Sequence, residues 1–200
     1  MVYSDQEIIA VGVVLLLPEE VQERVCQLNS LLHAERPDGF LFGPSTVPHL
    51  SLAQLFVRRS SLLALIERLD KTLRETEPLP LSVAKISGRG AVASLRIART
   101  PELFRLHAQM MDEVKSLSED LGGMESFFSD GEPARSQDAE WVTRFRGRAS
   151  YKRFVPHITL GNGHPPVPDV ILKFTTAEAG LFHLGRFCTC RKLLHRWKLH

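Results

Sequence analysis

The chain has 200 residues, of which 44% are hydrophobic and 24% charged, and its 25 basic and 23 acidic residues give a net charge of +2. This composition excludes a mostly disordered, collagenous or coiled-coil protein and favours one large globular domain. The near balance of charges argues against a nucleic-acid coat protein but leaves room for a local basic groove.

The longest apolar run covers residues 8–17, and Pro18 ends it. A membrane-spanning helix needs about 20 apolar residues, so none is predicted. Asp5 and Glu7 precede the run without any basic residue, which argues against a signal peptide. The cysteines are sparse and odd in number, as in a reduced intracellular protein, and we therefore expect a cytoplasmic location.

The first half of the sequence alternates between strand and helix patterns. Short apolar runs predict strands, and apolar residues three and four positions apart predict amphipathic helices. In chain order, the predicted elements are a strand at 8–17, a helix at 19–34, a strand at 47–57, a helix at 60–75, and strands at 79–87 and 91–98. The last two strands are joined by a predicted turn at Gly88-Arg89-Gly90.

The second half begins with a helix start at Thr100-Pro101-Glu102, which supplies a capping hydroxyl, a proline at the first position and an acid in the first turn. This helix is predicted to end near Ser118. Residues 119–148 are polar and show no sustained period, so they are predicted to form a long loop or lid. The remaining predicted elements are a strand at 154–160, a short helix near 169–174 and two strands across 177–199.

The order of elements in residues 8–90 is similar to that in residues 91–200, which indicates one domain made of two pseudo-repeat lobes. A sequence repeat lies at matching places in these lobes. Residues 47–52 read Val-Pro-His-Leu-Ser-Leu, and residues 155–160 read Val-Pro-His-Ile-Thr-Leu. Each hexapeptide coincides with a predicted strand that follows a helix and a loop.

Alternation along a strand explains the spacing within the hexapeptides. Residues i and i+2 share a face, so His49 lies beside Ser51 and His157 lies beside Thr159, while the aliphatic residues between them point into the core. A lone histidine at a strand start is more often structural. A purely structural duplication, however, has no packing reason to keep an exposed imidazole and a hydroxyl in both copies, which favours a catalytic role for all four residues.

Two histidines beside two hydroxyls suit phosphodiester chemistry without a metal. A neutral histidine takes a proton from the attacking oxygen, and a protonated one gives a proton to the leaving oxygen. The hydroxyls can donate hydrogen bonds to the non-bridging phosphate oxygens. We expect no cofactor and no metal, because Cys188-Thr189-Cys190 lacks the usual spacing of a zinc site and no carboxylates cluster near either motif.

Residues close to the two motifs are candidate substrate-binding groups. Tyr151, Arg153 and Phe154 precede the second motif, and Phe42 lies in the loop before the first. Aromatic and basic side chains suit a stacked base and a phosphate. The alternatives are a solvated strand entry for the first three residues and packing between the lobes for Phe42.

The two motifs, His49-Leu50-Ser51-Leu52 and His157-Ile158-Thr159-Leu160, resemble those of the 2H phosphoesterase superfamily, whose mark is a pair of His-x-Thr/Ser-x motifs with hydrophobic x. The resemblance covers most of the chain and is nearest to bacterial 2′-5′ RNA ligases and cyclic phosphodiesterases. It implies an α+β, bilobal duplicated fold in which two antiparallel sheets flank a central groove, with helices on the outside. Serine in place of the commoner threonine at position 51 keeps the hydroxyl.

The resemblance also implies metal-independent action on 2′,3′-cyclic or 2′-5′ phosphodiesters of nucleotides or RNA. One alternative is a 2′-5′ RNA ligase, and another is an RNA- or nucleotide-binding module on the same fold with little turnover. The presence of all four motif residues disfavours the binding module. We expect an RNA or nucleotide substrate, no membrane association, no obligate protein partner and a monomer.

Overall fold

The computed structural model describes residues 6–88, 92–164 and 172–200, and eight strands in this part of the chain form one antiparallel sheet. The strands are β1 (Ile8–Leu16), β2 (His49–Arg58), β3 (Leu79–Ser87), β4 (Val92–Ile97), β5 (His157–Asn162), β6 (Lys173–Thr176), β7 (Glu178–Leu184) and β8 (Cys190–Lys198). Their order across the sheet is β6-β3-β4-β5-β2-β1-β7-β8.

Four α-helices accompany the sheet in the described residues. They are α1 (Glu19–Glu35), α2 (Leu62–Arg74), α3 (Pro101–Glu113) and α4 (Ser136–Ala149). None of these helices is both long and apolar enough for a bilayer crossing.

The centre of the sheet is the junction between β2 and β5. Leu50 and Ile158 form the registered pair between these strands, and this pair joins two halves of four strands each. The predicted antiparallel α+β architecture is therefore confirmed, but as one continuous sheet rather than two sheets on either side of a groove. One half contains β2, β1, β7 and β8, which come from the two ends of the chain. The other half contains β5, β4, β3 and β6, which come from the middle of the chain.

Strand β1 is buried along nearly its whole length, as its continuous apolar run predicts. Val11 and Leu15 belong to a larger core, which also holds the buried faces of α1, α2 and α3. Val14 and Leu16 belong to a smaller core, which includes Val142 of α4. Apolar residues on both faces of β1 thus support helices on both sides of the sheet.

The segment 119–148, predicted as a long loop or lid, contains α4, and this part of the prediction is wrong. The helix has a weak sequence pattern because its buried residues are only Asp138, Val142 and Phe145. A polar contact fixes its start: the Arg135 backbone N–H donates to the Asp138 carboxylate at 2.9 Å. The apolar spacing of α4 is short and lies within a polar segment, and it is therefore easily missed in the sequence.

Other element boundaries also differ from those predicted. Strand β5 begins at His157 rather than at 154, because a 3₁₀ turn occupies Tyr151–Arg153. Strand β6 covers the end of the region where a short helix near 169–174 is predicted, and residues 165–171 lie outside the described part of the chain. Arg89 and Gly90 of the predicted turn also lie outside it.

A fully buried histidine connects the first hexapeptide to the 3₁₀ turn that precedes the second. His107 on α3 donates from Nδ1 to the Leu52 carbonyl at 2.7 Å, and its Nε2 accepts from the Tyr151 N–H at 2.9 Å. The ring stacks on Phe154 with a centroid distance of 3.7 Å. Burial lowers the pKa of His107 to about 4, so the ring is neutral, as the acceptor role of Nε2 requires.

We expect His107→Ala to lower the free energy of unfolding by about 3 kcal/mol at pH 7.5, because a buried ring is lost and two backbone groups lose their partner. An unfolded histidine titrates near pH 6.5 and the folded ring near 4, so the stabilisation by His107 is complete above pH 6.5 and is lost as the pH falls towards 4. The difference between wild type and variant should therefore shrink by about 2 kcal/mol at pH 5, measured by urea unfolding.

The control for this experiment is His200→Ala, at an exposed position near the end of the chain. This variant should unfold like the wild type at both pH values. A difference between wild type and His107→Ala that is equal at pH 7.5 and pH 5 would contradict the assignment of a neutral buried ring at position 107.

Candidate active site

Both motif histidines occupy the first residue of a central strand, His49 in β2 and His157 in β5. The paired Leu50 and Ile158 beside them are fully buried. Because side chains alternate along a strand, the residues on either side of this pair share the opposite face of the sheet. They are His49, Ser51, His157 and Thr159, and all four line one cavity.

The two imidazoles are held in the same way. In each ring, Nδ1 lies 2.8 Å from the carbonyl oxygen of the residue two positions earlier, Val47 for His49 and Val155 for His157. A carbonyl oxygen only accepts hydrogen bonds, so Nδ1 carries a proton in both rings. Nε2 is therefore the atom that gains or loses the second proton in each histidine.

Burial favours the neutral form of both rings. It lowers the pKa of His49 to about 4 against the opposing effect of the Val47 hydrogen bond, and the positive charge of His157 lowers it further. Burial also lowers the pKa of His157, and the charge of Arg96 acts in the same direction. The two rings are thus electrostatically coupled, and protonation of His157 disfavours protonation of His49.

The cavity has a volume of about 560 Å³, which is within the range of small-molecule sites. Strands β2, β4 and β5 supply one side of it and α4 another, so a helix forms the wall where a loop or lid is predicted. The charged lining residues are four arginines and one aspartate: Arg96, Arg135, Arg148, Arg153 and Asp138. A positively charged concave surface attracts an anionic ligand.

The structure places three of the four predicted substrate-binding residues at the cavity. Phe42, Arg153 and Phe154 line it, but Tyr151 does not. The Tyr151 hydroxyl instead donates to the Asp112 carboxylate at 2.6 Å. Phe154 is buried and stacked on a ring of α3, so most of its surface is already covered. Arg153 precedes β5 and does not share a strand face with His157.

The loop that carries Phe42 is anchored by a buried amide. Asn29 of α1 donates to the Phe40 carbonyl at 3.0 Å and to the Leu160 carbonyl at 2.8 Å, and its Oδ1 accepts from the Phe42 N–H at 2.7 Å. The Phe40 and Phe42 rings contact each other edge to face, with centroids 5.1 Å apart. One side chain thus connects the loop before the first motif to the strand of the second.

Several lining residues are not predicted from the sequence. Helix α4 contributes Trp141, Phe145 and Arg148, whose spacing places them on one helix face. The spacing of the two aromatic residues is the signal by which α4 could have been found. Gln54 is buried, its Nε2 donates to Ser51 Oγ at 3.3 Å, and its Oε1 has no hydrogen-bond partner among the described residues. A ligand with a hydrogen-bond donor would satisfy this oxygen.

No group of three or more histidine, cysteine, aspartate and glutamate side chains arranged to hold a metal ion occurs in the ranges that the structure describes. Cys188 lines the cavity, and Cys190 is buried beside it in the sequence. Burial raises the pKa of both thiols, so both are protonated at neutral pH.

Comparisons with known proteins identify the family and the fold. The family model of the 2′-5′ RNA ligase superfamily matches residues 17–192. No curated protein matches the chain significantly. Among solved structures, TT0787 of Thermus thermophilus is similar at a TM-score of 0.63 and 19% identity, over 95% of this chain and 97% of that one. LigT of E. coli in complex with 3′-AMP is similar at a TM-score of 0.55 and 20% identity, over 96% and 99% of the two chains.

A third structure, described as a phosphoesterase, has a TM-score of 0.51 and 18% identity, over 95% of this chain and 98% of that one. The TM-scores of these three structures show a shared fold. The family match covers most of the chain, including both histidine motifs. The chain therefore belongs to the 2′-5′ RNA ligase superfamily of 2H phosphoesterases.

Proposed function

We propose that the protein is a metal-independent phosphodiesterase that acts on 2′,3′-cyclic or 2′-5′ phosphodiester linkages of nucleotides or RNA. The observation that carries the proposal is the matched pair of imidazoles, each with Nδ1 bound to a backbone carbonyl and both at one positively charged cavity. Membership of the superfamily supports a phosphoesterase kind of activity. The complex of E. coli LigT with 3′-AMP supports a nucleotide ligand.

In this proposal His49 is the general base and His157 is the general acid. Burial and the charge of His157 keep the pKa of His49 near 4, so the first proton that the pair binds resides on His157. A phosphate anion in the cavity stabilises that proton. The pair then has one neutral and one charged ring, as concerted acid–base catalysis requires.

Opening of a 2′,3′-cyclic phosphate follows from these roles. The oxygen of a water molecule forms a bond to phosphorus while His49 Nε2 accepts one of its protons. The bond from phosphorus to a ribose oxygen breaks, and His157 Nε2–H donates its proton to that oxygen. The product is a phosphomonoester with a free ribose hydroxyl, and proton exchange with solvent restores both rings.

The two hydroxyl residues suit the phosphate itself. Ser51 Oγ accepts from Gln54, so its own proton is free to donate into the cavity, and Thr159 lines the same space. Such donors help most when their bonds strengthen as negative charge grows on the non-bridging oxygens. With a ribose hydroxyl in place of water, the same groups would join two RNA ends, so ligation needs no additional acid or base.

The purified protein is expected to hydrolyse 2′,3′-cyclic nucleotides or 2′-5′-linked oligonucleotides in excess EDTA, because the proton transfers need only the two imidazoles. Chromatography of the products from a panel of both linkages measures this, with 3′-5′-linked oligonucleotides as the control. Complete loss of activity in EDTA, restored by zinc or manganese, would contradict the metal-free mechanism. Binding of the nucleotides without turnover would favour the binding-module alternative.

His49→Ala and His157→Ala are each expected to lower kcat by about 10²–10⁴. Folding should be retained, because neither ring belongs to the hydrophobic cores. The double variant should be little worse than the worse single variant, since both rings serve one transition state. Ser51→Ala and Thr159→Ala should lose less activity, because water replaces part of a missing hydroxyl.

The matched control for the histidine series is His195→Ala on β8, outside the cavity lining. Steady-state kinetics and circular dichroism of all variants separate a loss of chemistry from a loss of fold. Wild-type kcat in a well-folded His49→Ala or His157→Ala variant would exclude acid–base catalysis by this pair.

The pH dependence of kcat/KM is expected to be bell-shaped with its maximum on the acid side of pH 6.5. Activity should rise near pH 4 as His49 loses its proton, and its falling limb should lie below pH 6.5, because burial and Arg96 lower the pKa of His157. This profile reports the groups of the free enzyme. A cyclic phosphodiester substrate does not titrate in this range, and a maximum above pH 8 would contradict the assignment.

A further inference from the structure

The strand beside the second motif continues its polar surface. Strand β4 pairs Arg96 with His157 and Ser94 with Thr159. Paired residues of antiparallel strands place their side chains on the same face, about 5 Å apart at Cα. Arg96 and Ser94 both line the cavity. The imidazole and hydroxyl of the second motif therefore have a cation and a further hydroxyl beside them.

The strand beside the first motif is different. Strand β1 pairs Leu16 with His49 and Val14 with Ser51. Both aliphatic residues are buried in the smaller core. The two histidine–hydroxyl pairs are thus alike in sequence but unequal in surroundings, and an anion in the cavity is stabilised more on the β4 side.

Arg96 is held in place by Ser87, whose hydroxyl in turn contacts Ser94. Its Nε donates to Ser87 Oγ at 2.8 Å, and the hydroxyl oxygens of Ser87 and Ser94 lie 2.9 Å apart. This leaves the two terminal nitrogens of the guanidinium available for another partner. No carboxylate forms an ion pair with Arg96 in the part of the chain that the structure describes.

Two of the other three cavity arginines have carboxylate partners, Asp138 for Arg135 at 2.5 Å and Glu140 for Arg148 at 3.9 Å. Arg153 donates to the Gly147 carbonyl and, like Arg96, forms no ion pair with a carboxylate among the described residues. Of these two arginines, Arg96 is the one that is paired with His157 on the neighbouring strand. A half-buried guanidinium with free donors beside a reactive imidazole is a site for an anion.

We propose that Arg96 is a further catalytic residue of this site. Its guanidinium and the Thr159 hydroxyl together hold the non-bridging oxygens of the reacting phosphate. This inference rests on the proposed function. A guanidinium offers two parallel donors that fit two phosphate oxygens, and its charge stabilises the negative charge that grows on them. Ser87 acts as a positioning residue, because it bonds the guanidinium but does not line the cavity.

The position of Arg96 also orients the reaction. A phosphate anchored on the β4 side lies next to His157, and its negative charge favours the protonated form of that ring. With His157 as the acid, the leaving ribose oxygen faces His157 and the attacking oxygen faces His49. Leu16 and Val14 offer a phosphate beside His49 no polar contact. The unequal neighbours of the two motifs therefore select which histidine serves as acid.

The first test measures phosphate binding without turnover. Isothermal titration calorimetry with 3′-AMP should show affinity about 10- to 100-fold weaker in Arg96→Ala than in the wild type, because charged hydrogen bonds are lost. Adenosine, which lacks the phosphate, should bind both proteins alike. Arg96→Lys should restore part of the affinity, because it keeps the charge but not the paired donors.

The second test follows the protonation of His157 by NMR in the ligand-free protein. Arg96→Gln removes a positive charge beside the ring, so the pKa of His157 should rise. The other charged or titratable groups that line the same cavity remain in place in this variant: His49, Arg135, Asp138, Arg148, Arg153 and Cys188. An unchanged pKa of His157 in Arg96→Gln would contradict the placement of the guanidinium beside this ring.

The matched control for both tests is Arg68→Ala, which removes the same charge from an exposed position on α2. It should change neither 3′-AMP affinity nor the pKa of His157. Ser87→Ala should weaken 3′-AMP binding less than Arg96→Ala does, because it frees the guanidinium without removing it.

Turnover of a 2′,3′-cyclic nucleotide by Arg96→Gln should fall about 10²–10³-fold in kcat/KM, with the falling limb of its pH profile moved to higher pH. Unchanged 3′-AMP affinity in Arg96→Ala, or absence of 3′-AMP binding by the wild type, would overturn the inference. Should the wild type turn over no cyclic substrate, the proposed function fails, while the comparison of 3′-AMP binding by the wild type and by Arg96→Ala still decides whether Arg96 binds phosphate.

Discussion

The pairing of Leu50 with Ile158 determines where the candidate active-site groups lie. Both side chains are fully buried, and burial of such a side chain stabilises a protein by about 1.5–3 kcal/mol. Because the side-chain period of a strand is two, a slip of one residue would bury the imidazoles and expose the aliphatic chains. The hydrophobic core therefore fixes the register, and the register places both histidines and both hydroxyls on one face.

The packing that fixes the register also sets the state of the rings. Partial burial removes some of the water around His49 and His157, and each Nδ1 donates a hydrogen bond to a backbone carbonyl of its own hexapeptide. The remaining nitrogen has no such fixed partner and so carries the exchangeable proton. The buried ring of His107 stabilises this arrangement, since it donates to the Leu52 carbonyl and accepts from the Tyr151 N–H. The two motifs are thus connected through the core as well as across the sheet.

Local patterns predict the parts of the molecule that depend on local physics. The apolar run of β1 is found as a buried strand, and Thr100 caps α3 by accepting from the Leu103 N–H. The shared face of each histidine and its hydroxyl follows from strand alternation alone. Helix α4 escapes prediction because its start depends on the Arg135–Asp138 contact rather than on apolar spacing. The pairing of β4 with β5 is also not predicted from the sequence, because no local pattern indicates which distant strands pair.

The difference between the surroundings of His49 and His157 comes from this pairing of distant strands. Duplicated hexapeptides give two imidazoles with the same strand position and the same backbone hydrogen bond, and local structure alone would make them equivalent. A phosphodiester reaction by acid–base catalysis needs the two rings in opposite protonation states. Strands β4 and β1 remove the equivalence, because one sets Arg96 beside His157 and the other sets Leu16 beside His49. In the proposed mechanism, the bound phosphate offsets the repulsion between Arg96 and a protonated His157. The acid is thereby stabilised only when substrate occupies the cavity.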